Sequence, residues 1–216
     1  MQQWTWAPPW NRWLVYLRYV ILLDILFVAV YGGSGWLAAH RVVEPVDFYF
    51  GWELGIPFVP WLIYVYLSIS VLFLLPLFAL DETALGLLAR RIACAVLISG
   101  VVFLLMPTHL GFPREVSISE QWLLFRIIYA IDPPHNLFPS LHVAYSTLII
   151  AALIAHSPLT LRRLFLLWLG LICLSVVLVH QHHVLDVPGG LLVAWISTRL
   201  VKDRSRKHVC AEVRSG

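Results

Sequence analysis

Two short stretches carry side chains that can act on a phosphate. The first is PPHNLFPSLHV, residues 133–143, where Ser140 and His142 follow Pro139 at the start of an apolar run. Proline suits the first turn of a helix, because its missing N–H would be unpaired there anyway. The N–H groups of Ser140, Leu141 and His142 should then point out of the helix start, where backbone donors and the helix dipole favour an anion. Ser140 adds a hydroxyl and His142 an imidazole that can hand over a proton. The second stretch is HQHHVLDVPGG, residues 180–190. His182 and Asp186 are four apart and on a helical turn share one face. A carboxylate on one imidazole nitrogen fixes the tautomer and leaves the other nitrogen as a nucleophile or base. An acid at the start of a membrane span is costly unless paired, and Gly189 and Gly190 permit close helix packing beside it. Each stretch alone also reads as a helix cap with a satisfied histidine.

The rest of the chain must bring these stretches together. Of 216 residues, 60% are hydrophobic and only 12% charged, about half the charged share of a soluble domain. Long uncharged runs and ten Trp indicate an all-α integral membrane protein with interfacial aromatics. Six runs, at 14–33, 57–80, 88–107, 137–156, 162–180 and 184–201, approach the roughly 20 residues a spanning helix needs. The expected architecture is six transmembrane helices in a single polytopic domain over 1–216, with a core at about 50–201 and a basic tail at about 202–216. The N-terminal MQQWTWAPPWNRW reads as an interfacial lead into a retained first helix, since no small-x-small cleavage site follows it. Cys94, Cys173 and Cys210 form neither a disulfide framework nor a metal site pattern.

Orientation follows from the basic residues. Twelve of the fifteen Lys and Arg fall on one side of a six-helix chain, and only Arg41, Arg114 and Arg126 on the other. Both termini are therefore expected in the cytoplasm, with loops 34–56, 108–136 and 181–183 outside. His40, His109, His135, His142, His180, His182 and His183 collect on that outer side. The catalytic candidates thus share one depth, at the outer ends of helices four to six. The aromatic stretch RVVEPVDFYFGWELGIPFVPW, residues 41–61, is expected to rest among lipid headgroups. Ser117 and Glu120 form a capping pattern before a short interfacial helix in QWLLFRIIYAI. Asp24, alone among apolar residues in the first run, is expected to face inward and bond a Ser or Tyr of the second run, such as Ser68 or Ser70.

P-S-L-H at 139–142 and H-x-x-x-D at 182–186 resemble the second and third motifs of the phosphatidic acid phosphatase type 2 superfamily, integral-membrane lipid phosphatases and phosphotransferases. The resemblance is closest to the branch of inositol phosphorylceramide synthases. It implies a six-helix core, a phosphohistidine on His182 oriented by Asp186, and His142 as the acid for the leaving alcohol. It implies no metal and no cofactor, a lipid phosphate as substrate, and water or an alcohol as acceptor. Two departures stand out. Ser175–Val176 replaces the Ser-Arg of the common third motif, and the first motif, K-x6-R-P, is absent, with Pro107 where its lysine would stand. Arginine is the strongest neutraliser of a phosphate, so Arg114, His135, Gln181 and His180 become the candidate replacements beside Ser140 and Leu141. The expected function is a lipid phosphate phosphatase or phosphotransferase at the outer leaflet of the cell membrane, with no nucleic-acid partner. Two other classes stay open. A membrane cytochrome or metal-binding protein would use the outer histidines as ligands. A transporter would show broken helices with polar midplane residues.

Overall fold

The computed structural model describes residues 4–40, 45–114, 118, 122–132 and 134–203. The described residues form a helical bundle with no strand, only isolated bridges between Val46 and Thr108 and between His109 and His135.

The first span is continuous from α1 (Trp10–Phe27) through one π-helical turn (Val28–Gly32) into α2 (Gly33–His40). The second starts with a 3-10 turn at Pro60–Leu62 and runs through α3 (Ile63–Leu67) into α4 (Ile69–Ala79), with a step at Ser68. Asp81 caps α5 (Glu82–Leu105) by accepting from the Ala84 N–H at 2.8 Å, as an aspartate at that position does. After the short α6 (Leu123–Ile131) come α7 (Leu141–Ala155), α8 (Leu159–Leu178) and α9 (Asp186–Leu200). Four of these segments, 10–37, 60–79, 82–105 and 159–178, are long and apolar enough to cross a membrane. The expected fourth and sixth runs are shorter, 15 residues each, because Pro139 and the turn at 179–185 hold their first residues out of the helix.

Helix α7 is the hub. It packs against α4, α5, α8 and α9, while α1 leans on α5 and only lightly on α4. Val143, Ala144, Ile149 and Leu153 of α7 are fully buried with Leu72, Ala95, Val96 and Ile172 around them. This packing overturns the expectation for Asp24. It sits exposed on α1, because α1 packs mainly on α5 and meets the second span through Tyr16, whose hydroxyl donates to the Phe73 carbonyl at 2.9 Å. Ser68 instead donates to the Val65 carbonyl at 2.6 Å and accepts from Trp168 Nε1 at 2.8 Å.

One end of the bundle gathers the long loops. The Val46 N–H bonds the Pro107 carbonyl, Leu110 N–H bonds Pro134, Asn136 N–H bonds Thr108, and Val59 N–H bonds Leu178. The expected short helix exists as α6, with Phe125 and Ile128 buried and Leu123, Ile127 and Ile131 exposed. Its expected caps, Ser117 and Glu120, lie outside the described residues, as do Arg41 and the tail beyond 203. The described part of the 41–61 stretch, residues 45–61, points both outward and inward. Phe50, Trp52 and Leu54 are exposed, but Glu53 between them is fully buried.

Candidate active site

Ser140 is the N-cap of α7, and its Oγ accepts from the Val143 N–H at 3.3 Å. The Ala144 N–H bonds its carbonyl. The Ser140 N–H was expected to face a ligand, but it donates to the backbone carbonyl of Asp186 at 3.1 Å. This bond joins the start of α7 to the start of α9. The N–H groups of Leu141 and His142 have no protein partner among the described residues and remain available to an anion.

The two motifs meet in one chain of hydrogen bonds. Asp186 Oδ2 lies 3.1 Å from His182 Nδ1, and His182 Nε2 lies 3.1 Å from Ser140 Oγ. The carboxylate makes Nδ1 the protonated nitrogen, so Nε2 carries the lone pair and Ser140 donates its hydroxyl proton to it. Ser140 and Asp186 are buried, and His182 is 9% exposed. The contact does not come from a shared helical turn, as the spacing suggested. Helix α9 begins at Asp186, and His182 reaches back from the preceding turn. That turn is held by the Val176 carbonyl, which accepts the N–H of both Gln181 and His182 at 3.1 and 2.9 Å. His180 takes the left-handed backbone, at φ 54°.

His142 lies one position beyond Leu141 on α7. Its Nε2 is 2.8 Å from the Tyr66 carbonyl, and its ring stacks on Tyr66 at 4.1 Å between centroids. A carbonyl can only accept, so Nε2 is protonated and Nδ1 is the nitrogen left for chemistry.

The remaining candidates are not bonded to this chain. Arg114 donates from Nη1 to the Tyr129 carbonyl at 3.2 Å and from Nη2 to that of Asp132 at 2.6 Å, over the Tyr129 ring. It thereby caps the C-terminus of α6. His135 pairs across a bridge with His109. Burial, then the charges of His109 and Arg114, push its imidazole below the ordinary histidine range. Gln181 is buried, and among the described residues its amide reaches the carbonyls of Val179 and His180, at 3.4 and 3.5 Å. His180 bonds the Ile56 carbonyl through Nε2 at 3.0 Å and stacks on Phe112 at 3.9 Å. At the position of the family's arginine, the Val176 side chain is fully buried.

The roles of Glu53, His183, Thr108 and Asn136 escaped the sequence reading. Glu53 Oε2 accepts from His183 Nδ1 at 3.1 Å and from the Val184 N–H at 2.8 Å. His183 Nε2 accepts the Gly111 N–H at 3.0 Å. Burial lowers the His183 pKa against the opposing pull of Asp186 and Glu53, so the ring stays neutral. Thr108 Oγ1 accepts the N–H groups of Leu137 and Phe138 at 3.0 and 3.2 Å, while Asn136, at φ 61°, bonds Ser34 Oγ at 2.9 Å. The only sequence signal was the presence of an acid among aromatics and of two adjacent histidines. Neither names its partner, because the partners lie more than 100 residues apart.

Close packing of α9 on α7 makes the site possible. A Cβ on Gly190 would sit 2.5 Å from the Ser140 carbonyl oxygen, and one on Gly189 would sit 2.5 Å from the Phe138 ring. No curated protein and no solved structure matches the chain. The sequence profile described as PAP2 superfamily matches residues 56–200, which include the whole Ser140, His142, His182 and Asp186 constellation. Its members are phosphatases and phosphotransferases, and a profile that spans well over half of the chain makes this protein a member of the PAP2 superfamily.

Proposed function

We propose that the protein acts on a membrane lipid phosphate through a covalent phosphohistidine on His182, at the outer face of the cell membrane. The observation that supports this best is the Asp186–His182–Ser140 chain at the free N-terminus of α7. The incoming phosphate displaces the Ser140 hydroxyl from His182 Nε2. It is then held by that hydroxyl and by the N–H groups of Leu141 and His142. The Nε2 lone pair forms the N–P bond as the P–O bond of the leaving alcohol breaks. His142, protonated on Nδ1 once the phosphate's negative charge lies beside it, gives that proton to the leaving oxygen, while its Nε2–H stays on the Tyr66 carbonyl. His142 Nδ1 then takes a proton from water or an alcohol, whose oxygen attacks phosphorus and breaks the N–P bond. Arg114 and His135 contribute field rather than contact in this reading, and Gln181 shapes the turn. The distribution of Lys and Arg supports cytoplasmic termini and an outward-facing site.

The charge of the cradle narrows the substrate. Among the described residues, no Lys or Arg side chain bonds Ser140, His142, His182 or Asp186. A phosphomonoester dianion is harder to hold there than the single charge of a phosphodiester. A phosphodiester lipid as donor, with an alcohol or water as acceptor, is the reading this favours, in line with the resemblance to the inositol phosphorylceramide synthase branch.

The test is a panel of lipid phosphates in detergent, monoesters and diesters, with and without an alcohol acceptor. Turnover should be highest on a diester and absent in His182→Ala. The proposal fails if no lipid phosphate is turned over, or if His182→Ala works as well as the wild type.

The 3.1 Å contact of Ser140 Oγ with His182 Nε2 favours one second reading, in which His182 is a base and Ser140 the nucleophile. Phosphohistidine is lost in acid and survives alkali, and phosphoserine behaves oppositely, so the quenched intermediate decides. A haem or metal on His180, His182 or His183 would have to break the bonds each ring already makes.

A further inference from the structure

Two carboxylates hold three consecutive residues of the catalytic turn. Asp186 Oδ2 accepts both His182 Nδ1–H, at 3.1 Å, and the His183 N–H, at 2.8 Å. Glu53 Oε2 accepts His183 Nδ1–H at 3.1 Å and the Val184 N–H at 2.8 Å. One oxygen of Asp186 thus serves the nucleophile and the backbone of its neighbour together. Where His183 goes, the carboxylate that aims His182 is drawn along.

The ring of His183 has no capacity left for chemistry. Its Nε2 accepts from Gly111, its Nδ1–H is on Glu53, and its faces lie against Tyr49 at 4.3 Å and Phe112 at 4.6 Å. Glu53 comes from the 3-10 turn Gly51–Gly55, where its Oε1 also accepts the Phe50 N–H at 3.0 Å. It is 0% exposed and bonds neither Ser140, His142, His182 nor Asp186. A carboxylate this deep is retained only where donors satisfy it, and its donors are the turn it braces.

We propose that Glu53 is a positioning residue, which acts through His183 and the Val184 N–H to fix the Asp186 carboxylate and so the aim of His182. The proposal rests on the reading of His182 as the reacting residue. It ties the outer loop at 45–59 to the chemistry without any contact with substrate.

The experiment uses the full chain in detergent, with Glu53→Gln, His183→Asn and the double variant. The probes are dioctanoyl phosphatidic acid and dioctanoyl phosphatidylinositol, together with diethyl pyrocarbonate as a substrate-free reagent for His182, read by mass spectrometry. Gln keeps the volume of Glu53 but cannot accept at both terminal atoms. Glu53→Gln should lower kcat about 10–100-fold with KM within about twofold, as the loss of a supporting partner does. The double variant should be no worse than about twofold below the weaker single variant, since both remove one linkage. Carbethoxylation of His182 should change rate in Glu53→Gln. Wild-type kcat, a change in KM alone, or additive losses in the double variant would overturn the proposal. If the wild type turns over neither probe, the proposed function fails on its own. The reagent then still decides, because an unchanged His182 rate in Glu53→Gln overturns the positioning role. If Glu53→Gln does not fold, His183→Asn carries the same measurements, and wild-type kcat with an unchanged reagent rate in that variant overturns it.

Discussion

His182 Nε2 and Ser140 Oγ face each other at 3.1 Å across the junction of α7 and α9. The lone pair that would attack phosphorus is covered by a hydroxyl in the free protein. Under the proposed function, a phosphate that draws the hydroxyl to itself would uncover Nε2 in the same movement, so that binding and activation would be one event.

This relationship separates two alanine variants. His182→Ala should abolish turnover and leave no covalent intermediate. Ser140→Ala should still form phosphohistidine, with kcat/KM reduced through lost phosphate binding. Rapid quench with radiolabelled lipid, followed by acid and alkali treatment, checks both. A Ser140→Ala protein with no intermediate would transfer the nucleophile's role to the serine.

His142 depends on Tyr66 for its orientation, through a backbone carbonyl and a ring face. Tyr66→Phe keeps both and should stay within a few-fold of wild-type kcat. His142→Ala should cost roughly 10²–10⁴-fold in kcat, the usual range for a lost acid–base group. Tyr66→Ala should fall between them. Steady-state kinetics on one substrate ranks the three.

The helix junction predicts an asymmetric pair. Gly190→Ala sets a methyl against backbone, 2.5 Å from the Ser140 carbonyl oxygen. The backbone cannot step aside cheaply, so the variant should lose about 1–3 kcal/mol, the range of an overpacked core, or more. Gly189→Ala meets the edge of the Phe138 ring, which can shift, and should lose less. Thermal unfolding in detergent compares them, and activity should follow the same order.

Acid should loosen the turn through His183. Burial holds its folded-state pKa below the ordinary histidine value, so the folded protein binds fewer protons here than the unfolded chain. Stability from this group is present above the unfolded pKa, about 6.5, and is lost as pH falls through that value towards the folded one. Unfolding midpoints should therefore drop below about pH 6.5, and less steeply in His183→Asn. Parallel curves for the two proteins would contradict the neutral state of His183.

The order of residues exposed His182 beside Asp186 and Ser140 beside His142, because each pair lies within five positions and carries a local rule. The boundaries of the spans at 60–79 and 159–178 were close for the same reason, since hydropathy is local. What could not be read is tertiary. The Ser140 N–H finds the Asp186 carbonyl only once α9 docks on α7. Arg114 looked like a phosphate clamp because it is an isolated cation near the site, yet the end of α6 supplies carbonyls that occupy both Nη atoms. Asp24 was placed inward by the cost of an acid in lipid, but the direction of a face depends on which neighbour the helix chooses. Glu53 and His183 found each other over 130 positions, a distance no periodicity covers.

The single π-helical turn in the first span has a consequence for how this chain can vary. It fits one residue more than an α-helical path would, and within it Tyr31 offers its carbonyl to Ser34 and Asn136 and its hydroxyl to Asp132. Removing one residue between 28 and 32 would let the segment close into a plain α-helix, with the residues beyond it near their present faces. The widened turn around Tyr31 would be lost, and with it the link from the first span to Asn136 and Asp132. A hydropathy plot would hardly register that deletion, but it would uncouple a distant span from the loop that leads to Ser140.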